Sequence, residues 1–314
     1  MNEINKANYL VTGAAGFIGA AVARKLRENG NRVITIDNLS TGFKQSIPKG
    51  VDFINGDCQD AQIIDSLTGI KFDSILHIAG QSSGEISYDD PVFDLQTNTQ
   101  STLLLLDLAQ KTGCKKFIYA SSMSVYGCQP DVPVQEDAVC IPQSFYSVGK
   151  LASEHYMRIY QQFGISSVSL RLFNVYGPGQ NMANLRQGML SIYLAQALKN
   201  KHILVKGSPN RYRDLVYIDD VVNAFLAAIE KDTAPFCIYN VGTGAKTKVS
   251  ELVEKIQKAL SFKVTVEYTD STPGDLFGIY ADPSKIKKDL YWSSEYNLDE
   301  GLAETVAWAT GIKL

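Results

Sequence analysis

In the run Tyr146-Ser147-Val148-Gly149-Lys150, a phenol and an ammonium stand four residues apart, on one face if the segment is helical. A free phenol ionises near pH 10, so a phenol serving as a base at neutral pH needs roughly 4 kcal/mol of differential stabilisation. Lys150 is placed to supply part of it. About 24 residues upstream, Ala120-Ser121-Ser122-Met123-Ser124-Val125-Tyr126-Gly127 closes an apolar run, and its Ser122 can hydrogen-bond a substrate oxygen and help move its proton. The expected catalytic set is Ser122, Tyr146 and Lys150.

A second constellation opens the chain. Thr12-Gly13-Ala14-Ala15-Gly16-Phe17-Ile18-Gly19 follows the apolar run Tyr9 to Thr12 and leads into a helical pattern. Gly13, Gly16 and Gly19 permit a tight turn and close backbone approach, and a helix start offers free N–H groups and a positive dipole end to a pyrophosphate. About 24 residues after Gly13, Asp37 ends the next apolar run, where a carboxylate accepts from ribose hydroxyls. That charge would repel a 2′-phosphate, and Asn38-Leu39-Ser40-Thr41-Gly42 brings no Lys or Arg, so the expected cofactor is NAD rather than NADP. A bound nicotinamide would add positive charge beside Tyr146. The run Gly56-Asp57-Cys58 places a further carboxylate at the same edge, where Asp57 can face the adenosine or simply cap a turn. Phe17, Ile18, Asn38, Ser40, Gly42 and Cys58 belong to the expected cofactor site.

These groups need a scaffold that brings strand ends together. Short apolar runs at 9–12, 33–36, 51–54, 74–77, 117–120 and 168–173 alternate with helical patterns at 18–28, 92–111 and 146–163, with Gly30, Gly113 and Gly164 as stops. This is the pattern of a parallel sheet covered on both faces. After Asn174 the alternation loosens, with a helix expected near 187–199, a strand at 203–205, a return to the sheet at 237–241 and a helix at 249–260. The expected fold is α/β: a Rossmann-type doubly wound parallel sheet with a smaller C-terminal substrate-binding lobe. Residues 1–175 form the dinucleotide domain, to which the chain returns around 214–242, and 176–213 and 243–314 form the smaller lobe.

Composition narrows the partners. A net charge of −3 without a Lys/Arg-dense run excludes a nucleic-acid surface. The start lacks the pattern of a signal peptide, and no apolar stretch spans a bilayer, so no membrane association is expected. Five scattered cysteines without metal-ligand spacing indicate the reducing cytoplasm and no metal site.

With these motifs, and with Ile36 to Gly42, His77-Ile78-Ala79-Gly80-Gln81, Arg171 to Gly179 and Arg213 to Asp220, the chain resembles the extended short-chain dehydrogenases, within them the nucleotide-sugar 4-epimerases. The resemblance covers nearly the whole chain. It implies that Ile78, Ala79, Gly80, Gln81, Asn98 and Phe173 line the cofactor cleft, and that Ser82, Asn174, Arg213 and Asp275 face a nucleotide sugar. The sugar is expected to be UDP-linked. Relatives usually carry Arg where this chain has Thr272, and Arg211 is the local candidate to replace it; many carry an aromatic at Lys206. The resemblance also implies a homodimer through a four-helix bundle built from the helices at 92–111 and 146–163.

Met123-Ser124 stand where related dehydratases place Asp-Glu and related decarboxylases keep a Glu, so elimination and decarboxylation lose their usual groups. The expected reaction is epimerisation at C4 through a transient ketone. A nucleotide-sugar reductase and a non-catalytic NAD-binding protein on the same fold remain as alternatives.

Overall fold

The structure is a computed structural model, and it describes residues 6–270 and 277–311. Seven strands make the central sheet: β1 (Asn8–Thr12), β2 (Arg32–Asp37), β3 (Asp52–Asn55), β4 (Ser74–His77), β5 (Lys116–Ser122), β6 (Ser166–Leu172) and β7 (Phe236–Val241). They lie in the order β7-β6-β5-β4-β1-β2-β3 and every pairing is parallel. Strand order reverses between β1 and β4, so the crevice of a doubly wound sheet opens at the carboxyl ends of those two strands.

Helices cover both faces: α1 (Phe17–Glu28), α2 (Ser101–Thr112), α3 (Phe145–Tyr160), α4 (Met189–Asn200), α5 (Ile218–Glu230), α6 (Val249–Ala259) and α7 (Leu298–Thr310) are the long ones. On one face Val22 of α1 and Val221 and Phe225 of α5 pack with Val11 and Leu170; on the other, Leu105 of α2 and Met157 of α3 pack with Leu10, Ile34 and Phe117. Apolar residues facing both ways along a strand explain why the sheet runs read as nearly continuous apolar segments. A separate core beyond β6 joins Leu194, Ile203, Val253, Ile256 and Leu302. It carries three small sheets: Asn174–Tyr176 beside Leu215–Tyr217, His202–Lys206 beside Thr265–Thr269, and Thr247–Lys248, Tyr212–Arg213 and Gly278–Ile279 together.

The helix expected at 92–111 is not continuous. Pro91–Leu95 leads into a π turn at Gln96–Gln100 before α2 begins. Hydroxyls make that turn: Thr97 Oγ1 donates to Phe93 O, Ser101 Oγ to Thr97 O and Thr102 Oγ1 to Asn98 O, giving side-chain partners to carbonyls displaced from the regular ladder. The expected strand at 168–173 stops at Leu172, where the Phe173 N–H turns to Val241 O. The helix expected from 187 begins at Met189, after Gly188 at φ 82°.

Candidate active site

The cofactor cleft begins at the turn after β1. A Cβ on Gly19 would lie 2.1 Å from the Gly13 carbonyl oxygen, so strand and helix meet this closely only with glycine there. Gly16 caps α1 without a side chain, leaving the first-turn N–H groups for an anion. Asp37 accepts from Ala15 N at 2.9 Å and from Leu39 N at 2.8 Å, tying the carboxylate to the glycine turn, with lone pairs left for ribose hydroxyls. Asp57 caps a turn and lines the cleft: Oδ1 accepts from Gln59 N, and Oδ2 accepts from the Asn38 amide at 2.7 Å. These residues, with Phe17, Ile18, Ser40, Gly42, Cys58, Ile78, Ala79, Gly80, Gln81 and Ser82, surround a cleft of about 440 Å³. Burial and the neighbouring carboxylates push the Cys58 thiol far up, so it packs as a neutral group.

A buried pair missed by motif reading holds the 78–80 loop. Thr12 Oγ1 accepts from Ile78 N and Ala79 N, both at 3.0 Å, and so donates to His77 Nδ1. Ser101 Oγ spends its proton on Thr97 O and accepts from His77 Nε2 at 3.2 Å. The network therefore assigns a neutral Nε2–H imidazole, and burial holds its pKa well below the usual value.

Ser122, Tyr146 and Lys150 meet in an adjoining cavity of about 410 Å³, which Phe17, Ile18, Ile78 and Ser82 share with the cofactor cleft. Ser122 ends β5, and its hydroxyl accepts from Ser124 N at 3.2 Å. Tyr146 stands in the first turn of α3, held by a capping box in which Ser144 and Ser147 exchange side-chain-to-backbone bonds. Lys150 Nζ donates to Ala120 O at 2.9 Å and lies 5.7 Å from the Tyr146 ring centre. Burial lowers its pKa to about 8, against the pull of Asp94 and Glu154. Burial pushes the Tyr146 phenol up to about 12, the Ser122 hydroxyl opposing it and Asp94 adding to it. These side chains alone therefore leave the phenol protonated at neutral pH.

Two placements differ from expectation. Asn98 is fully buried behind the cleft rather than lining it, its amide donating to Gln81 O and to Asp94, because the π turn rolls it under Gly80. Phe173, just beyond β6, lines the adjoining cavity with Tyr146, beside which the nicotinamide is expected. Arg211 does not reach the described cavity wall: its guanidinium donates to the carbonyls of Lys206 and Ser208. Arg213 does reach it, with burial and the nearby Arg211 drawing its pKa down to about 10. Asn174 is also on the wall, and its Oδ1 is buried without a hydrogen-bond partner among the described residues. Thr272 and Asp275 lie outside the described residues.

Residues 179–188 form a strap along both spaces. Asn181 donates to Thr41 O on the cofactor side, while Gln187 donates to Ser82 Oγ at 2.6 Å and the Arg186 carbonyl accepts from Ser83 Oγ on the other. Arg186 pairs with Glu85 and Asp89 at 3.2 and 2.7 Å. No motif marks this segment, because its contacts are made through space to loops about a hundred residues away.

Fold and clefts together define an α/β dinucleotide-binding protein. The chain belongs to the NAD dependent epimerase/dehydratase family, whose model matches residues 9–242, and its cofactor is NAD. It is 34% identical over 304 residues to the UDP-glucose 4-epimerase of Mycolicibacterium smegmatis, covering 95% of this chain and 96% of that one. Among solved structures it resembles the UDP-glucose 4-epimerase of Thermotoga maritima with UDP-glucose, at 33% identity and TM-score 0.93, covering 96% and 98% of the two chains. It also resembles the UDP-N-acetylglucosamine 4-epimerase of Methanobrevibacter ruminantium in complex with UDP-N-acetylmuramic acid, at 29% identity and TM-score 0.91, covering 97% and 98%. No described helix is long and apolar enough to cross a membrane.

Proposed function

We propose that the protein interconverts C4 epimers of a nucleotide-activated sugar, a UDP-hexose or UDP-N-acetylhexosamine, through a transient 4-ketone. The observation that carries this reading is the meeting of Ser122, Tyr146 and Lys150 in one cavity continuous with the dinucleotide cleft. The names of the similar proteins support the sugar class.

NAD, when bound, supplies the acceptor and donor of hydride and a positive ring near the phenol. Tyr146 Oη takes the proton of the C4 hydroxyl and returns it after the ketone has turned over. Lys150 contributes a positive charge, held in place by the hydrogen bond that Nζ donates to Ala120 O. Ser122 holds the C4 oxygen. Arg213 and the Asn174 amide face the diphosphate, while Asn174 Oδ1 awaits a donor such as a sugar hydroxyl. Positions 123 and 124 hold Met and Ser, which gives water elimination no acid–base pair. The glycine turn, Asp37 and Asp57 hold the dinucleotide in the domain of residues 1–175, to which 214–242 return, and 176–213 and 243–314 form the sugar lobe of what we take to be a cytoplasmic homodimer.

The test is incubation with a panel of UDP-hexoses without added cofactor, read by proton NMR. A C4 epimer is the expected product. Stoichiometric consumption of added reduced nicotinamide would identify a reductase instead, and no conversion of any sugar would leave a binding protein.

A further inference from the structure

Asp214 is a fully buried carboxylate whose four hydrogen-bond donors are all uncharged. Oδ1 accepts from Thr243 N at 2.8 Å and Thr243 Oγ1 at 2.7 Å; Oδ2 accepts from Gly244 N at 2.9 Å and Ala281 N at 3.0 Å. Its own carbonyl accepts from Asn174 N at 3.0 Å. Packing is tight enough that a Cβ on Gly242 would stand 2.7 Å from Oδ2. The side chain, which lies off the cavity wall, thus ties its own segment to 242–244 and 281, while 174 is held by the Asp214 backbone carbonyl.

A buried charge held only by neutral dipoles is a costly way to join loops unless their placement matters. The backbone that this carboxylate pins carries two cavity-wall residues, Arg213 by the peptide bond and Asn174 through its hydrogen bond to the Asp214 carbonyl. We propose that Asp214 is the positioning residue of the nucleotide end of the site, fixing Asn174 and Arg213 against each other so that both meet one diphosphate. Resting on the functional reading above, this assigns to Asp214 the geometry of binding and not the chemistry, because Ser122, Tyr146 and Lys150 hang from β5 and α3.

The carboxylate can accept from all four donors; an amide cannot. In Asp214→Asn the amide N–H2 replaces one oxygen: in the place of Oδ2 it meets two N–H groups and two bonds are lost, and in the place of Oδ1 the Thr243 N bond is lost while the Thr243 hydroxyl can turn to accept, so at least one of the four bonds is lost at constant volume. The experiment compares UDP affinity, NAD affinity, melting temperature, and KM and kcat for whichever sugar the panel identifies. Asp214→Asn is expected to bind UDP about 10- to 100-fold more weakly and to raise KM alike, with NAD affinity and kcat within about threefold of the parent. Thr243→Val removes one hydroxyl donor and keeps the carboxylate, so it is expected to show the same split at a smaller size. It carries the test if Asp214→Asn does not fold. Unchanged UDP affinity in a folded Asp214→Asn, or a loss confined to kcat, overturns the inference alone. A parent chain that binds NAD but no UDP overturns the functional reading and this inference with it.

Discussion

In the proposed reaction Tyr146 must ionise in a place that resists ionisation. Burial holds it near 12, and Lys150, itself lowered to about 8, is the charge in reach. Tyr146→Phe is expected to lower kcat by a factor of about a hundred to ten thousand with little change in UDP affinity, as measured by initial rates and nucleotide binding. Lys150→Met removes the cation, so the phenol pKa rises and the neutral-pH rate falls by about a hundredfold or more. The sign with pH follows: the variant's rate climbs as pH rises, while the parent gives up its own ammonium above about 8, so the two profiles converge on the alkaline side. Equal rates for both at neutral pH would remove Lys150 from the role. The sequence made these residues legible because their spacing is set by one strand end and one helix turn. It could not place Asn98 or Arg211, whose directions depend on a π turn and on backbone carbonyls that have no local signature.

Among the elements, the first turn of α3 bears the most on activity, since Ser144 is its N-cap and Tyr146 is the second helical residue. Ser144→Ala is expected to cost about 1 kcal/mol and lower the melting temperature by about 2 °C, with a several-fold loss of kcat as the first turn frays. A full loss of stability without loss of kcat would separate the cap from the chemistry. The sheet was readable from alternation alone, strand by strand, because each strand is apolar on both faces. The interrupted helix was not: apolar residues on either side of Gln96–Gln100 read as one helix, and only the polar run between Leu95 and Leu103, with hydroxyls at Thr97, Ser101 and Thr102, hints that the ladder slips.

For the whole molecule, Val92, Leu95, Phe145, Val148 and Ile159 remain exposed on the two helical segments that were expected to dimerise. The parent chain is expected to show a dimer mass by light scattering, and Val148→Glu to shift it toward monomer by placing a charge in an apolar contact. A monomeric parent at micromolar concentration would sink the homodimer. The sheet could be anticipated from the alternation before Asn174, whereas the bonds to Asp214 could not, since they join segments far apart in sequence.

The strap at 179–188 makes the two clefts one thermodynamic system. A ligand that draws the strap down on its own side also draws it over the other, so the free energy by which a sugar nucleotide tightens NAD must equal that by which NAD tightens the sugar nucleotide.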